Sequence, residues 1–349
     1  MSVILQIVLY PLSLLLTCVV YTRNWLYDKG IFKSTQPDVF TINVGNLNLG
    51  GTGKTPHVEY LVNLLASQYQ TSILSRGYKR QTKGFVLADE TSTAQTIGDE
   101  PMQYYLKFKD TINVVVCEDR IAGVNQIQTT FPNNALVILD DAFQHRKITP
   151  HLNLLLCDYN RPFYKDYLVP VGKLRDIRKS ANRAHAVIVS KCPEDISEQT
   201  KEAMKAEINH YTLSNTPVFF SRIHYKTITS YTDNITFTTE NPATVVTAIA
   251  KPEVFLEYLK KKGYIIDKAK DYPDHFAFSR IEIEALVDKQ NPLQQIITTE
   301  KDMVKIKPLL NEQELERFYY VSIEVIISDK DEFNDFILSK VSDAISKSI

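Results

Sequence analysis

Eight consecutive residues, Asn48-Leu49-Gly50-Gly51-Thr52-Gly53-Lys54-Thr55, come after the apolar run 39–44 with three residues between. Their types suit the binding of nucleotide phosphates. Glycines let a backbone curl until several N–H groups point inward, and a helix that follows adds its positive N-terminal end. In such a loop Lys54 reaches the β- and γ-phosphates, and the Thr55 hydroxyl ligates Mg²⁺. Pro56 falls in the first turn of the expected helix, where its missing N–H costs nothing. The strict pattern G-x-x-x-x-G-K-[ST] asks for glycine where this chain has Asn48. Asparagine enters left-handed backbone conformations more readily than most residues, so the turn stays open to it.

Other residues could complete a phosphate-handling site. The apolar stretch 135–139 ends in Asp140-Asp141, and a strand-end carboxylate holds Mg²⁺ directly or through water in such sites. Gln144, His145 and Arg146 follow, with His145 either a site imidazole or a loop histidine bonded to backbone. In Gly98-Asp99-Glu100-Pro101 two acids open a helix, either to suit its dipole or to orient a base or hold metal. Ser75-Arg76-Gly77-Tyr78 follows a buried strand, where a functional loop belongs. The basic stretch 173–179 could neutralise a phosphorylated substrate or an anionic membrane surface, or simply be a solvated face. Asp274-His275 pairs an acid with an imidazole; a helix-capping loop is the plainer alternative.

The elements that must position these groups alternate along the chain. Near-continuous apolar runs at 71–74, 112–117, 135–139, 152–157 and 186–189 look like parallel strands buried on both faces. Helical patterns at 100–107 and 121–128 supply the crossovers. The fold class expected is α/β: a doubly wound sheet of the P-loop NTPase type, ligands at the carboxyl ends of its strands. A second, smaller α/β unit is expected with strands at 244–249, 263–266, 295–298 and 318–323, a capped helix after Ser279 and a closing helix at 332–345. Between the two, 218–220 and 235–238 could form a two-stranded connection. The expected domains are 1–30, 31–216, 217–240 as linker, and 241–349.

The chain has 349 residues and a net charge of −1, which gives it no bulk attraction to nucleic acid. Its four cysteines and seven histidines are dispersed, in no disulfide or zinc spacing. Residues 3–21 carry no charge and as a helix extend about 28 Å, close to a bilayer's hydrocarbon thickness. Gln6, Tyr10, Ser13, Thr17, Tyr21 and Asn24 recur three or four apart and line one face. This leaves a spanning helix with one face on protein, a helix lying in the membrane interface, or a buried core helix. Arg23, Lys29 and Lys33 follow it, which puts the main body on the cytoplasmic side.

Taken in order, these segments resemble the tetraacyldisaccharide 4′-kinase family. The resemblance is carried by Asn24-Trp25-Leu26-Tyr27, the loop from Gly45 to Pro56, Leu74-Ser75-Arg76-Gly77-Tyr78, Gly98-Asp99-Glu100-Pro101 and Asp119-Arg120. It continues through Asp140-Asp141-Ala142-Phe143-Gln144-His145, Tyr272-Pro273-Asp274-His275 and Thr299-Glu300-Lys301-Asp302. The chain departs from the family's habit at Ala142, Lys173 and Asp176. The resemblance implies transfer of the ATP γ-phosphoryl group to the 4′-hydroxyl of a lipid disaccharide 1-phosphate at the inner membrane. ATP sits on residues 48–55. Mg²⁺ rests on Thr55 and on Glu100 or Asp140. Lys54 and Arg120 stabilise charge, and Asp99 polarises His275 as the base. Arg76, Asp141, Gln144, His145, Arg175 and Asp176 are implied on the substrate side, with no obligate protein partner. Two other readings of the motifs remain: a membrane-tethered P-loop ATPase acting as a switch, and a kinase of soluble small molecules.

Overall fold

The computed structural model of the chain describes residues 3–232, 235–288, 291 and 293–346. Its strands are β1 (Phe40–Asn46), β2 (Thr71–Ser75), β3 (Val86–Leu87), β4 (Asn113–Val116), β5 (Leu136–Asp140), β6 (Leu152–Asp158), β7 (Ala186–Ser190), β8 (Val218–Ser230), β9 (Ala243–Thr247), β10 (Ile266–Asp271), β11 (Gln295–Thr299) and β12 (Phe318–Ile327). Its helices are α1 (Val3–Asp28), α2 (Lys54–Leu65), α3 (Ala94–Ile97), α4 (Asp99–Phe108), α5 (Arg120–Thr130), α6 (Glu198–Asn209), α7 (Pro252–Lys261), α8 (Arg280–Leu286), α9 (Glu300–Ile306), α10 (Glu312–Leu315) and α11 (Lys330–Ile345).

All the strands lie in one sheet, in the order β10-β9-β11-β12-β8-β7-β6-β1-β5-β2-β4-β3. Every residue of β1, β2, β5, β6, β7 and β9 is buried, because helices cover both faces. The pairings are parallel except β3 with β4 and β8 with β12. β1 lies between β5 and β6; beyond β6 the sheet continues through β7 and β8, and beyond β5 through β2, β4 and β3. The crevice at the carboxyl ends of β1, β5 and β6 is where such a sheet binds ligands.

Three expectations change. Residues 218–220 open β8, whose antiparallel partner is β12 rather than 235–238, which form no strand. The connection is thus two long strands from distant parts of the chain. The closing helix α11, expected with the second unit, packs Phe333, Ile337 and Val341 into the same cluster as Ile42 and Val44 of β1 and Val58 of α2. The strand expected at 263–266 begins at Ile266 and runs to Asp271 as a charged edge, which suits a strand open on one side.

The amino-terminal helix is seated through polar groups on one face. Ser13 Oγ donates to the Leu168 carbonyl at 2.9 Å, and Asn24 Nδ2 donates to Asp176 at 2.8 Å and to Ser180 at 3.0 Å. Val8, Leu12, Leu14, Leu15, Val19 and Trp25 are exposed, so α1 is not a buried core helix. Tyr10 and Tyr21 of the predicted polar face are also exposed, while the side chain of Gln6 lies outside the described residues. Among the described residues no helix is long and apolar enough to cross a membrane.

Candidate active site

The loop between β1 and α2 is shaped by backbone that only glycine adopts cheaply. Gly50 and Gly53 have φ of +104° and +86°. Asn46 Nδ2 donates to Thr52 Oγ1 at 2.8 Å, and buried Asn48 donates to Asp166 at 3.2 Å. Asn48 therefore replaces the first glycine of the pattern by anchoring the loop to the segment after β6. Behind the loop, Ser190 Oγ donates to the Thr52 carbonyl at 2.8 Å and Lys191 Nζ to that of Gly51. His57, inside α2, bonds the Gly53 carbonyl through Nδ1 at 2.6 Å and meets Ser221 Oγ through Nε2 at 2.9 Å. A carbonyl only accepts, so Nδ1 carries the proton and Nε2 accepts from Ser221. Burial pushes the His57 pKa down to about 4, so this neutral form prevails at physiological pH.

Across the crevice, β5 delivers two carboxylates with opposite environments. Asp140 is buried and accepts from Ser75 Oγ at 3.2 Å. Burial, then the charge of Asp141, pushes its pKa up to about 7. Asp141, at φ +56°, turns outward to Lys54 Nζ at 3.7 Å and to the Arg175 guanidinium, which donates to Oδ2 at 3.0 Å. Burial opposes its ionisation, but Lys54 and Arg175 outweigh that and hold it below the usual carboxylate range. The turn closes over β1 at Gly45, where an added Cβ would meet Phe143 Cβ at 2.6 Å. Around it Asn48 Oδ1, Gln144 Oε1, His145 Nε2 and Arg175 Nε are buried without hydrogen-bond partners, open valences that a polar ligand or water would fill.

A second group assembles from both ends of the chain. Asp99 opens α4; His275 follows β10 with φ +61°. His275 Nδ1 lies 3.0 Å from Asp99 Oδ2, and its Nε2 is 3.3 Å from Lys301 Nζ in α9. Since an ammonium has no lone pair, Nε2 accepts, and the imidazole is neutral with its proton on Nδ1. Burial opposes ionisation of Asp99, but the bond from His275 and the ammonium groups of Lys305 and Lys301 keep its pKa low. Lys301 also reaches Asp274 at 3.2 Å and Glu100 at 3.8 Å. The phenol of buried Tyr104 lies within reach of the charges of Asp140 and Glu100. Its pKa is raised well above normal by burial, then by the charges of Asp140, Glu59 and Glu100.

The sequence model of the family described as "LpxK: Tetraacyldisaccharide-1-P 4'-kinase" matches residues 5–342. The chain belongs to this family. It is 40% identical to the tetraacyldisaccharide 4'-kinase of Cytophaga hutchinsonii, over 99% of this chain and 98% of that one. The Flavobacterium johnsoniae enzyme of the same name is 38% identical, covering 97% and 98%. A crystal structure of LpxK from Aquifex aeolicus in complex with ATP superposes with a TM-score of 0.77 at 28% identity, covering 97% of this chain and 99% of that one. Membership makes this chain a kinase of lipid A biosynthesis.

Within this kinase the expected residues divide by position. Lys54, Thr55, Glu100, Asp140 and Asp141 converge on the crevice, and Arg76 is exposed at the end of β2. Gln144 donates to the Asn46 carbonyl at 2.8 Å, and burial, then Arg120, lowers the pKa of His145. Two residues are engaged within the protein, Arg120 in part and Asp176 fully. Arg120 is 2% exposed and donates to the carbonyls of Cys117 and Glu118 at 3.0 and 3.2 Å, and to Asp140 at 3.4 Å. These bonds brace the end of β5, while its Nε is buried without a partner and remains a free donor. Asp176 is 1% exposed and is occupied by Asn24, Ser180 and Arg183, the last at 2.8 Å, so it seats α1 rather than facing substrate. His57, Asp166, Ser190 and Lys191 were not expected at the site. Their partners are loop carbonyls and a loop amide, which no motif of side chains reveals.

Proposed function

We propose that this protein transfers the γ-phosphoryl group of ATP to the 4′-hydroxyl of tetraacyldisaccharide 1-phosphate. The observation that carries the reading is the Asp99–His275 pair, 3.0 Å apart, facing the crevice that holds Lys54 and Asp141. Phosphoryl transfer passes through a diffuse anionic transition state that positioned cations and backbone N–H groups stabilise. The amides of residues 50–55 cradle the phosphates, and Lys54 releases Asp141 to meet the terminal group. Thr55 with Asp140 or Glu100 would hold Mg²⁺ through the hard oxygen ligands it prefers, and the ion would supply charge neutralisation for the transfer. Among the described residues no cluster of three His, Cys, Asp or Glu side chains is gathered for a metal, as suits an ion that takes most of its ligands from phosphate and water. The acceptor hydroxyl gives its proton to Nε2 of His275 once Lys301 yields that position, and Asp99 stabilises the resulting imidazolium through Nδ1.

The site faces a lipid acceptor at the cytoplasmic surface of the inner membrane. The exposed apolar face of α1, with Leu14, Leu15 and Val19, lies in the interface, and the exposed Lys29 and Lys33 after it favour anionic headgroups. Incubation with labelled ATP and the lipid disaccharide monophosphate in detergent tests the assignment: label reaches the lipid. Hydrolysis of ATP with no lipid product would instead favour an ATPase switch. Equal activity on vesicle-borne lipid after deletion of residues 1–21 would remove α1 from the proposal.

A further inference from the structure

Three successive carbonyls of the phosphate loop, those of Gly51, Thr52 and Gly53, are held from one side by Lys191, Ser190 and His57. Peptide N–H groups point opposite to carbonyls, so this fastening turns the loop's donors toward the phosphates. Lys191 does more than the other two. Its Nζ also lies 2.7 Å from Asp158 Oδ2 at the end of β6, and its backbone sits at φ +60°, a conformation a side-chain-bearing residue adopts at a cost. The four-carbon stem is thereby stretched between β6 and the loop, its charge tied off at the tip.

Nothing in the transfer chemistry uses that position. Asp140, Asp141, Glu100 and Asp99 all lie on the β5 side of β1, whereas β6 and β7 flank its other side. A triphosphate laid along residues 50–55 with its terminal group toward Asp141 directs its nucleoside the opposite way, over the ends of β6 and β7. Lys191 meets it there with a methylene surface, the kind of face long cationic side chains present beside their charged tip.

We propose that the nucleoside of ATP rests on the stem of Lys191, which Asp158 and the Gly51 carbonyl hold in place. The inference rests on the ATP-dependent reading above. It is tested by comparing Lys191→Met, which keeps a long apolar stem without the charge, with Lys191→Ser, which loses both. Dissociation constants are measured by calorimetry for ATP, ADP and inorganic tripolyphosphate on the full chain. The expected result is a gap between the two variants of about tenfold for ATP and ADP, the worth of about two buried methylenes, and none for tripolyphosphate. An equal loss in both variants for all three ligands would make Lys191 a loop brace only, and a gap as large for tripolyphosphate as for ATP would tie its stem to the loop and not to the nucleoside; either overturns the proposal. Where Lys191→Ser loses its fold by circular dichroism, Lys191→Gln takes its place in the same comparison. Undiminished ATP affinity in Lys54→Ala would count against the phosphate loop and the kinase reading, a result separate from either Lys191 outcome.

Discussion

The groups of the phosphate loop that would face a nucleotide come from residues 46–55, and their braces from β6, β7 and β8 on one side of β1. Asp99 and His275 are 176 positions apart and meet only because α4 and the segment after β10 face each other. A clamp of side chains maintains that meeting. Lys107 of α4 pairs with Glu59 of α2 at 2.6 Å and with Glu300 of α9 at 3.4 Å, while Gln103 donates to both acids at 2.9 and 3.2 Å. Burial, then the nearby charge of Glu59, raises the pKa of Glu300. The phosphate loop is thus built locally and braced by main-chain contacts, whereas the proton transfer proposed for Asp99 and His275 would depend on distant parts of the chain staying in register. The first should survive perturbations that cripple the second.

Removing Lys54 would break the comparison most severely. Lys54→Ala is expected to cut lipid phosphorylation by about 10³-fold or more, through lost charge stabilisation in the transition state. His275→Ala should lower kcat by about 10²- to 10⁴-fold while ATP affinity changes little, because a base acts on the acceptor and not on the nucleotide. Adding Asp99→Asn should cost little more, since the two act as a unit; a fully additive double variant would separate them. Calorimetry beside steady-state kinetics reads both.

Asp140 offers a test through stability. Its carboxyl keeps a proton in the folded protein up to about pH 7, whereas in the unfolded chain it ionises in the ordinary range. The cost of charging it therefore accumulates as pH rises from about 4 to about 7 and is complete above that. Asp140→Asn should match wild type in urea unfolding near pH 4 and exceed it by a few kcal/mol at pH 8, while losing activity. The smallest effect is expected at the clamp. Lys107→Met should lower kcat a few-fold with ATP affinity unchanged, and equal loss in both would show that the two regions are not separable as drawn.

Much of this arrangement could be read along the chain, for identifiable reasons. β1, β5, β6 and β7 are apolar at nearly every position because both faces are covered, and such runs are conspicuous. β10 was misplaced because Asp267-Lys268-Ala269-Lys270-Asp271 has an edge strand's composition and no apolar period. The phosphate loop and Asp140-Asp141 are contiguous, so spacing alone exposes them. Asp99 with His275 entered only through family resemblance, since no local pattern links residues that far apart. Asp176 differs for another reason, its carboxylate being spent on Asn24, Ser180 and Arg183. A charged residue beside a site can turn toward ligand or toward backbone, and sequence carries the charge without the direction.

One backbone feature constrains how the two halves can move. β8 joins β7 through residues 218–220 and runs on alongside β12 to Ser230, its ladder shifting register between Val321 and Ile323. A pivot made of a flexible peptide would let the halves swing freely and lose their mutual aim. A ribbon of paired strands flexes like a leaf spring instead, stiff in its own plane and compliant across it, with the irregularity at 321–323 its softest point. Any travel of His275 relative to Lys54 would have to bend this ribbon, so their mutual aim is set by the β8–β12 ladder.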